Sequence, residues 1–423
     1  MSRILTLSRR WKAIVLAGGF AFVALVVLAV WEWPTYQARR DVRRALATGR
    51  FQDAWKIVEH WVRQRPHSGE AQYFRAKTAI ALGRKRDMVL GLKEARALGY
   101  RDDRLAVVQA LIDAQYGRMK QARPVLARAF ADAQEPDLML NEALARVYLE
   151  TYDFAHAGPV LKRWAQEAPT DPRPLLWHAA LLRRRDAEAQ PIIDDYRQVL
   201  QRAPKNAEAH LGLAEQLEQT HQNAQAAAIY SAYIALRPDD PAGHIGAGRN
   251  AAELREDSTA RAHFDQALEL DPGNAAAHLE RAKLNLRLGD FEKALVDLDQ
   301  AVAATPFDSV VHYQRSLVLK RLGRHSEAVL AQQTFDRLRK ERLQLEELQE
   351  RLGEAPDDLR LQYQIAHWMF KHGYDDEAVK WSQKILLDSP GHRGICLLLI
   401  DYYTMHGQPD RAEQFRKQIA MVR

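Results

Sequence analysis

One interval governs this 423-residue chain. Pro204, Pro238, Pro272 and Pro306 recur at a constant step of about 34 residues, a period that marks stacked supersecondary units. Pro169 precedes them one position off the beat. Pro356 comes late, and Pro390 follows it at the same step. Small residues keep this beat in two series. The first is Ala76, Ala110, Ala145, Ala179, Ala214, Gly248, Ala282, Ser316 and Ala366. The second is Ala122, Ala157, Ala226, Ala260, Ala294, Ala328, Ala378 and Ala412. A unit of this length cannot bury an apolar face alone and must stack on its neighbours. In the clearest unit, Ala275 to Pro306, two amphipathic stretches are joined by Leu288, Gly289, Asp290 and Phe291. Glycine supplies the left-handed turn that ends the first helix. Proline ends the second, because the residue before it is pushed out of the helical region. Ala282 and Ala294 are expected to face each other, since two antiparallel helices approach closely only where side chains are short.

This pattern, a repeated helical hairpin with two alanines, Gly-Asp-Phe in the turn and a closing proline, resembles the tetratricopeptide repeat (TPR). The resemblance implies an all-α fold, a TPR α-solenoid of about eleven helical hairpins. Units start near Thr35, Gly69, Asp103, Leu138, Pro172, Ala207, Pro241, Ala275, Ser309, Leu359 and Arg393. Val42 in the first and Ile400 in the last replace the small residue, as terminal repeats often do. The expected organisation is a basic tail over 1–12, a transmembrane helix over 13–33, units one to nine over 35–340, a helical extension over 341–358, and units ten and eleven over 359–423. The whole layout resembles bacterial single-pass membrane-anchored TPR proteins.

The extension breaks the beat between units nine and ten. Residues 335–352 (FDRLRKERLQLEELQERL) read as the second helix of unit nine running on for several turns. Leu338, Leu345 and Leu352 fall at a heptad spacing, with Leu348 between. Two readings stay open: the leucines pack on adjacent repeats, or they form a short coiled-coil seam for weak self-association.

From Ala13 to Trp31 the sequence runs without a charge. As a helix that stretch is about 28 Å long, close to the thickness of a bilayer core. Arg9, Arg10 and Trp11 on one side, and Trp31 and Trp33 on the other, suit the membrane interface. Arginines flank both ends, so charge alone does not set the orientation. A short basic tail before a long span resembles a bacterial signal anchor and places the body outside the cytoplasm, on the inner membrane. The net charge of +6 resides in residues 1–44; the rest holds 53 basic and 53 acidic side chains. The sequence pI of about 9.2 is therefore no argument for nucleic acid.

Repeats occupy nearly all of the chain after Pro34, leaving no stretch for a catalytic domain. No phosphate-binding glycine loop, nucleophile elbow or HExxH motif is present. No enzyme activity, cofactor, metal or small-molecule substrate is expected. His210, His244, His278 and His312 recur once per unit. Equivalent helices stand about 8–10 Å apart, too far for ligands near 2 Å from one ion. They read as packing residues.

The family resemblance places partner contacts on the first helix of each hairpin. Carried over, the candidate groove comprises Glu142, Arg146, Arg249, Lys283, Tyr313, Tyr363 and His367, with Arg287, Lys320 and Lys371 one turn further on. Tyrosine and arginine are favoured interface anchors, and a basic groove would suit an acidic or C-terminal peptide. A merely solvated inner face is the competing reading. Two functions follow: a membrane-anchored scaffold or adaptor for protein or peptide partners, or a structural accessory subunit of an envelope or secretion/assembly complex.

Overall fold

In a computed structural model of the chain, residues 33–151, 153–185, 187–355 and 358–421 are described. They form twenty-two helices with no strand among them, in eleven consecutive pairs. The pairs, first helix (A) then second (B), are α1 (33–47) and α2 (Phe51–Gln64); α3 (Gly69–Ala81) and α4 (Lys85–Ala97); α5 (Asp102–Gln115) and α6 (Met119–Asp132); α7 (Leu138–Glu150) and α8 (Phe154–Glu167). Next come α9 (Arg173–Arg184) and α10 (Ala189–Arg202); α11 (Ala207–Gln219) and α12 (Asn223–Leu236); α13 (Pro241–Glu253) and α14 (Asp257–Leu270); α15 (Ala275–Leu288) and α16 (Phe291–Ala304). The last are α17 (Ser309–Arg321) and α18 (His325–Glu354); α19 (Leu359–Lys371) and α20 (Asp375–Asp388); α21 (Arg393–Met405) and α22 (Pro409–Met421).

Local chemistry accounts for the ends. Ser68, Asn206, Asp240, Asn274, Asp308 and Asp358 cap A helices by accepting a backbone N–H from the first turn. Gly289 ends α15 at φ 85°, where a side chain would clash with the following carbonyl. His221 (φ 57°) and Arg255 (φ 62°) take this left-handed role in hairpins six and seven.

Every member of the two small-residue series is buried. Val42 and Ile400, their terminal replacements, are buried too. Large side chains fill the space between: Trp164, Tyr230 and Phe264 are among the largest fully buried.

The described residues divide into two compact units. One comprises 33–116 with 121–143, the other 117–120 with 144–421. In the first, α3 packs on α4 and on α5. In the second, each helix from α8 to α21 packs on the next. There Lys384 on α20 reaches back to α7, with Nζ 3.0 Å from the Glu150 carboxylate and 2.8 Å from its carbonyl oxygen.

The insertion between units nine and ten lengthens one helix. At 30 residues, α18 is about twice the length of the other B helices. Leu338 and Leu352 are buried, and Leu345 and Leu348 join Leu352, Leu361 and Ile365 in a core with α19. The leucine stripe is thus spent inside the chain, and 335–352 presents no free heptad seam. The basic tail and the predicted span lie outside the described residues except for Trp33, which is exposed and packs on Tyr36. None of the described helices is long and apolar enough to cross a membrane.

Candidate interaction groove

Successive A helices touch: α11 with α13, α13 with α15, and α15 with α17. B helices share no contact of that extent among the described residues. Elements that are closer together lie inside a curve, so the A helices of hairpins six to nine line its concave side. α19 and α21 also touch, but α17 and α19 do not to that extent. The long α18 packs against α19 instead, so the inner surface falls into one stretch over hairpins six to nine and another over ten and eleven.

Most candidate cations on this surface already hold a carboxylate. Arg249 makes two hydrogen bonds to Glu218 of the preceding A helix, at 2.6 and 2.9 Å. Arg287 reaches Asp257 at 2.6 Å, Lys283 reaches Glu280 at 2.8 Å, and Lys371 reaches Glu341 at 2.7 Å. Arg183 bridges to Glu215 in the same manner, at 3.1 Å. Beneath Arg249, the buried Tyr230 hydroxyl donates to Glu218 at 2.7 Å. Burial, and then the Glu218 carboxylate, push the Tyr230 phenol far above its ordinary range. The hydrogen bonds to Glu218 hold Arg249 firmly charged against its own burial. The inner face is therefore a ladder of alternating charge rather than a bare basic strip. Sequence carried a signal for it: each cross-hairpin pair is separated by slightly less than one repeat.

The remaining candidates divide by exposure. Lys320 is exposed, with no ion pair among the described residues. Tyr313 is 38% exposed, its ring resting 5.2 Å from Phe335. Tyr363 and His367 lie nearly parallel, 6.0 Å apart, and His392 stacks on Tyr363 at the same distance. Glu142 and Arg146 are half-buried on α7.

The histidine series is satisfied locally. Nδ1 of His210 lies 2.9 Å from the Asn206 carbonyl, and Nε2 of His312 lies 2.9 Å from the Pro306 carbonyl. His278 meets Asp297 and the Pro272 carbonyl, both at 3.0 Å. His244 meets His263, ring nitrogen to ring nitrogen, at 3.2 Å. Among the described residues, no group of three or more His, Cys, Asp or Glu side chains is arranged to hold a metal.

The fold and the groove together define an α-helical repeat protein. A family model described as Tetratricopeptide repeat matches residues 187–246 and 258–316. No curated protein matches the chain. Among similar solved structures are two of MamA. One is 16% identical with a TM-score of 0.33, over 41% of this chain and 94% of that one. The other, MamA 41-end from Desulfovibrio magneticus, is 20% identical with a TM-score of 0.38, over 41% and 97%. PilW, described as a widely conserved type IV pilus biogenesis factor, is 17% identical with a TM-score of 0.42, over 46% and 90%. Likeness this distant carries no argument about function.

Proposed function

We propose that this protein is a membrane-tethered, non-catalytic TPR scaffold that holds protein or peptide partners against the A helices of hairpins six to nine. TPR proteins generally bind protein partners, and one observation here carries the reading. Tyr313 and Lys320 stand exposed on α17, beside A helices on which Arg249 and Lys283 keep about a third of their side-chain surface accessible. An interface anchored by tyrosine and arginine within such a charge ladder suits a segment of mixed charge, which can exchange for the internal pairs one at a time. Tethering by residues 13–33 would raise the local concentration of partners in the same bilayer, so modest groove affinity suffices. The body would lie outside the cytoplasm of a bacterial inner membrane.

The test is charge reversal. Lys320→Glu breaks no internal ion pair, so loss of partner recovery would report the groove itself. Adding Arg249→Glu and Lys283→Glu should abolish recovery; unchanged recovery with all three would end the reading. The tether is tested separately. The full chain should remain in carbonate-washed membranes, deletion of 1–33 should release it, and protease protection in spheroplasts reports orientation.

A second reading, a permanent accessory subunit of an envelope or secretion/assembly complex, is favoured by a different observation. Val296 and Leu330 occupy the same position of successive B helices, and each is 63% exposed. Val329 adds to this outward apolar strip, the kind of surface a stable subunit contact covers.

A further inference from the structure

The charge balance of the repeats hides a division. Residues 45–143 carry 17 lysines and arginines against 12 aspartates and glutamates, while 144–423 carry 36 against 41. The excess near the N-terminus is displayed on α4. Lys85, Arg86, Lys93 and Arg96 are exposed, and none makes an ion pair among the described residues. At 100° per residue they fall within about a quarter-turn of one helix face and span roughly 16 Å. Val89, 59% exposed, lies between them. Arg84, just before the helix, is held over the Trp55 ring at 4.3 Å, and the Lys85 ammonium stands 5.8 Å from the Tyr116 ring. The two carboxylates of α4 do not offset this face: Asp87 is bound by Arg75 at 2.6 Å, and Glu94 is half-buried on the flank.

On the A helices of hairpins six to nine, most cations are held by a carboxylate, as Arg249, Arg281, Lys283, Arg287 and Arg315 are. A helix face that gathers four cations around an exposed valine, with no carboxylate for any of them, is complementary to a dense and extended negative surface. From this we infer that the outer face of α4 docks on anionic lipid headgroups. The valine reaches the headgroup boundary, and the cations lie within a Debye length of the charged leaflet. The inference rests on the membrane reading above only for what brings a bilayer within reach. Docking would hold the first hairpins against the bilayer.

The test uses the full chain carrying Val89→Cys labelled with a polarity-sensitive fluorophore; the sole native thiol, Cys396, is buried. The labelled protein is mixed with phosphatidylcholine vesicles, with and without phosphatidylglycerol, and fluorescence and flotation are read together. The expected result is a blue shift only with phosphatidylglycerol. It should be reversed by salt, weakened about fivefold by each single neutralisation, and lost in Lys85→Gln/Arg86→Gln/Lys93→Gln/Arg96→Gln. Circular dichroism of that variant shows whether its helices remain. An unmoved label on co-floating protein, a shift that survives the quadruple neutralisation, or a shift produced by duplex DNA but not by vesicles would each overturn the proposal. Failure of the tether reads differently: no flotation with pure phosphatidylcholine, while the phosphatidylglycerol-dependent shift persists.

Discussion

Gly246 shows how little room the hairpins leave at the residue scale. A Cβ there would lie 2.2 Å from Cε1 of Tyr230, a fully buried ring whose hydroxyl is committed to Glu218. Alanine is normally the better helix residue by up to about 1 kcal/mol. Here overpacking should win, and Gly246→Ala should destabilise by about 1–3 kcal/mol, read as a lowered thermal midpoint. The His244–His263 contact makes a second residue-scale prediction. Burial holds both imidazoles below the ordinary histidine value, and for His263 the neighbouring ring adds to it. The unfolded chain therefore takes up protons first. Stability is full above about pH 7 and falls as pH drops through ~6.5 and towards the folded-state values. His263→Ile, which copies Ile229 of the preceding hairpin, should shrink that acid loss when thermal midpoints are compared between pH 8 and pH 5.

At the scale of elements, the junction of α18 and α19 is the departure with most consequence. Glu341 gathers three groups from α19 and the turn after it. Its carbonyl accepts from Trp368 Nε1 at 2.9 Å, and its carboxylate lies 2.7 Å from Lys371 and 2.9 Å from His372. Burial opposes the charge, but Lys371 and His372 hold the carboxyl below its usual range. A lowered carboxylate pKa contributes stability above the ordinary glutamate value that is lost as pH falls through the folded one. Glu341→Gln should cost about 1–3 kcal/mol and should loosen hydrogen-exchange protection in α19 more than in α15. The junction also shows where sequence reading ran out. Ala282, Ala294 and their equivalents were legible because close helix approach admits only small side chains, and A-helix starts such as Gly69, Ala207 and Arg393 followed from the period. The pairing of Arg249, Arg287 and Lys371 was not. Comparing like positions one full repeat apart misses these bonds, because Arg249 meets the preceding A helix at Glu218 whereas Arg287 and Lys371 meet the preceding B helix at Asp257 and Glu341. Nor does the leucine spacing of α18 by itself distinguish a partner helix from the chain's own α19.

At the scale of the whole molecule, charge is divided along the chain. Basic residues concentrate before residue 143 and a slight acidic excess follows, which is the order expected if the first hairpins meet a charged bilayer and the later ones meet partners. The most direct measurement of the central claim is site-specific photocrosslinking in intact cells. A photoreactive phenylalanine derivative would replace Tyr313 on the inner face, or Val329 on the outer face of the same hairpin. A discrete protein adduct is expected from position 313, weakened by Lys320→Glu and absent from position 329. No adduct at 313, or the same adduct from both positions, would contradict the claim.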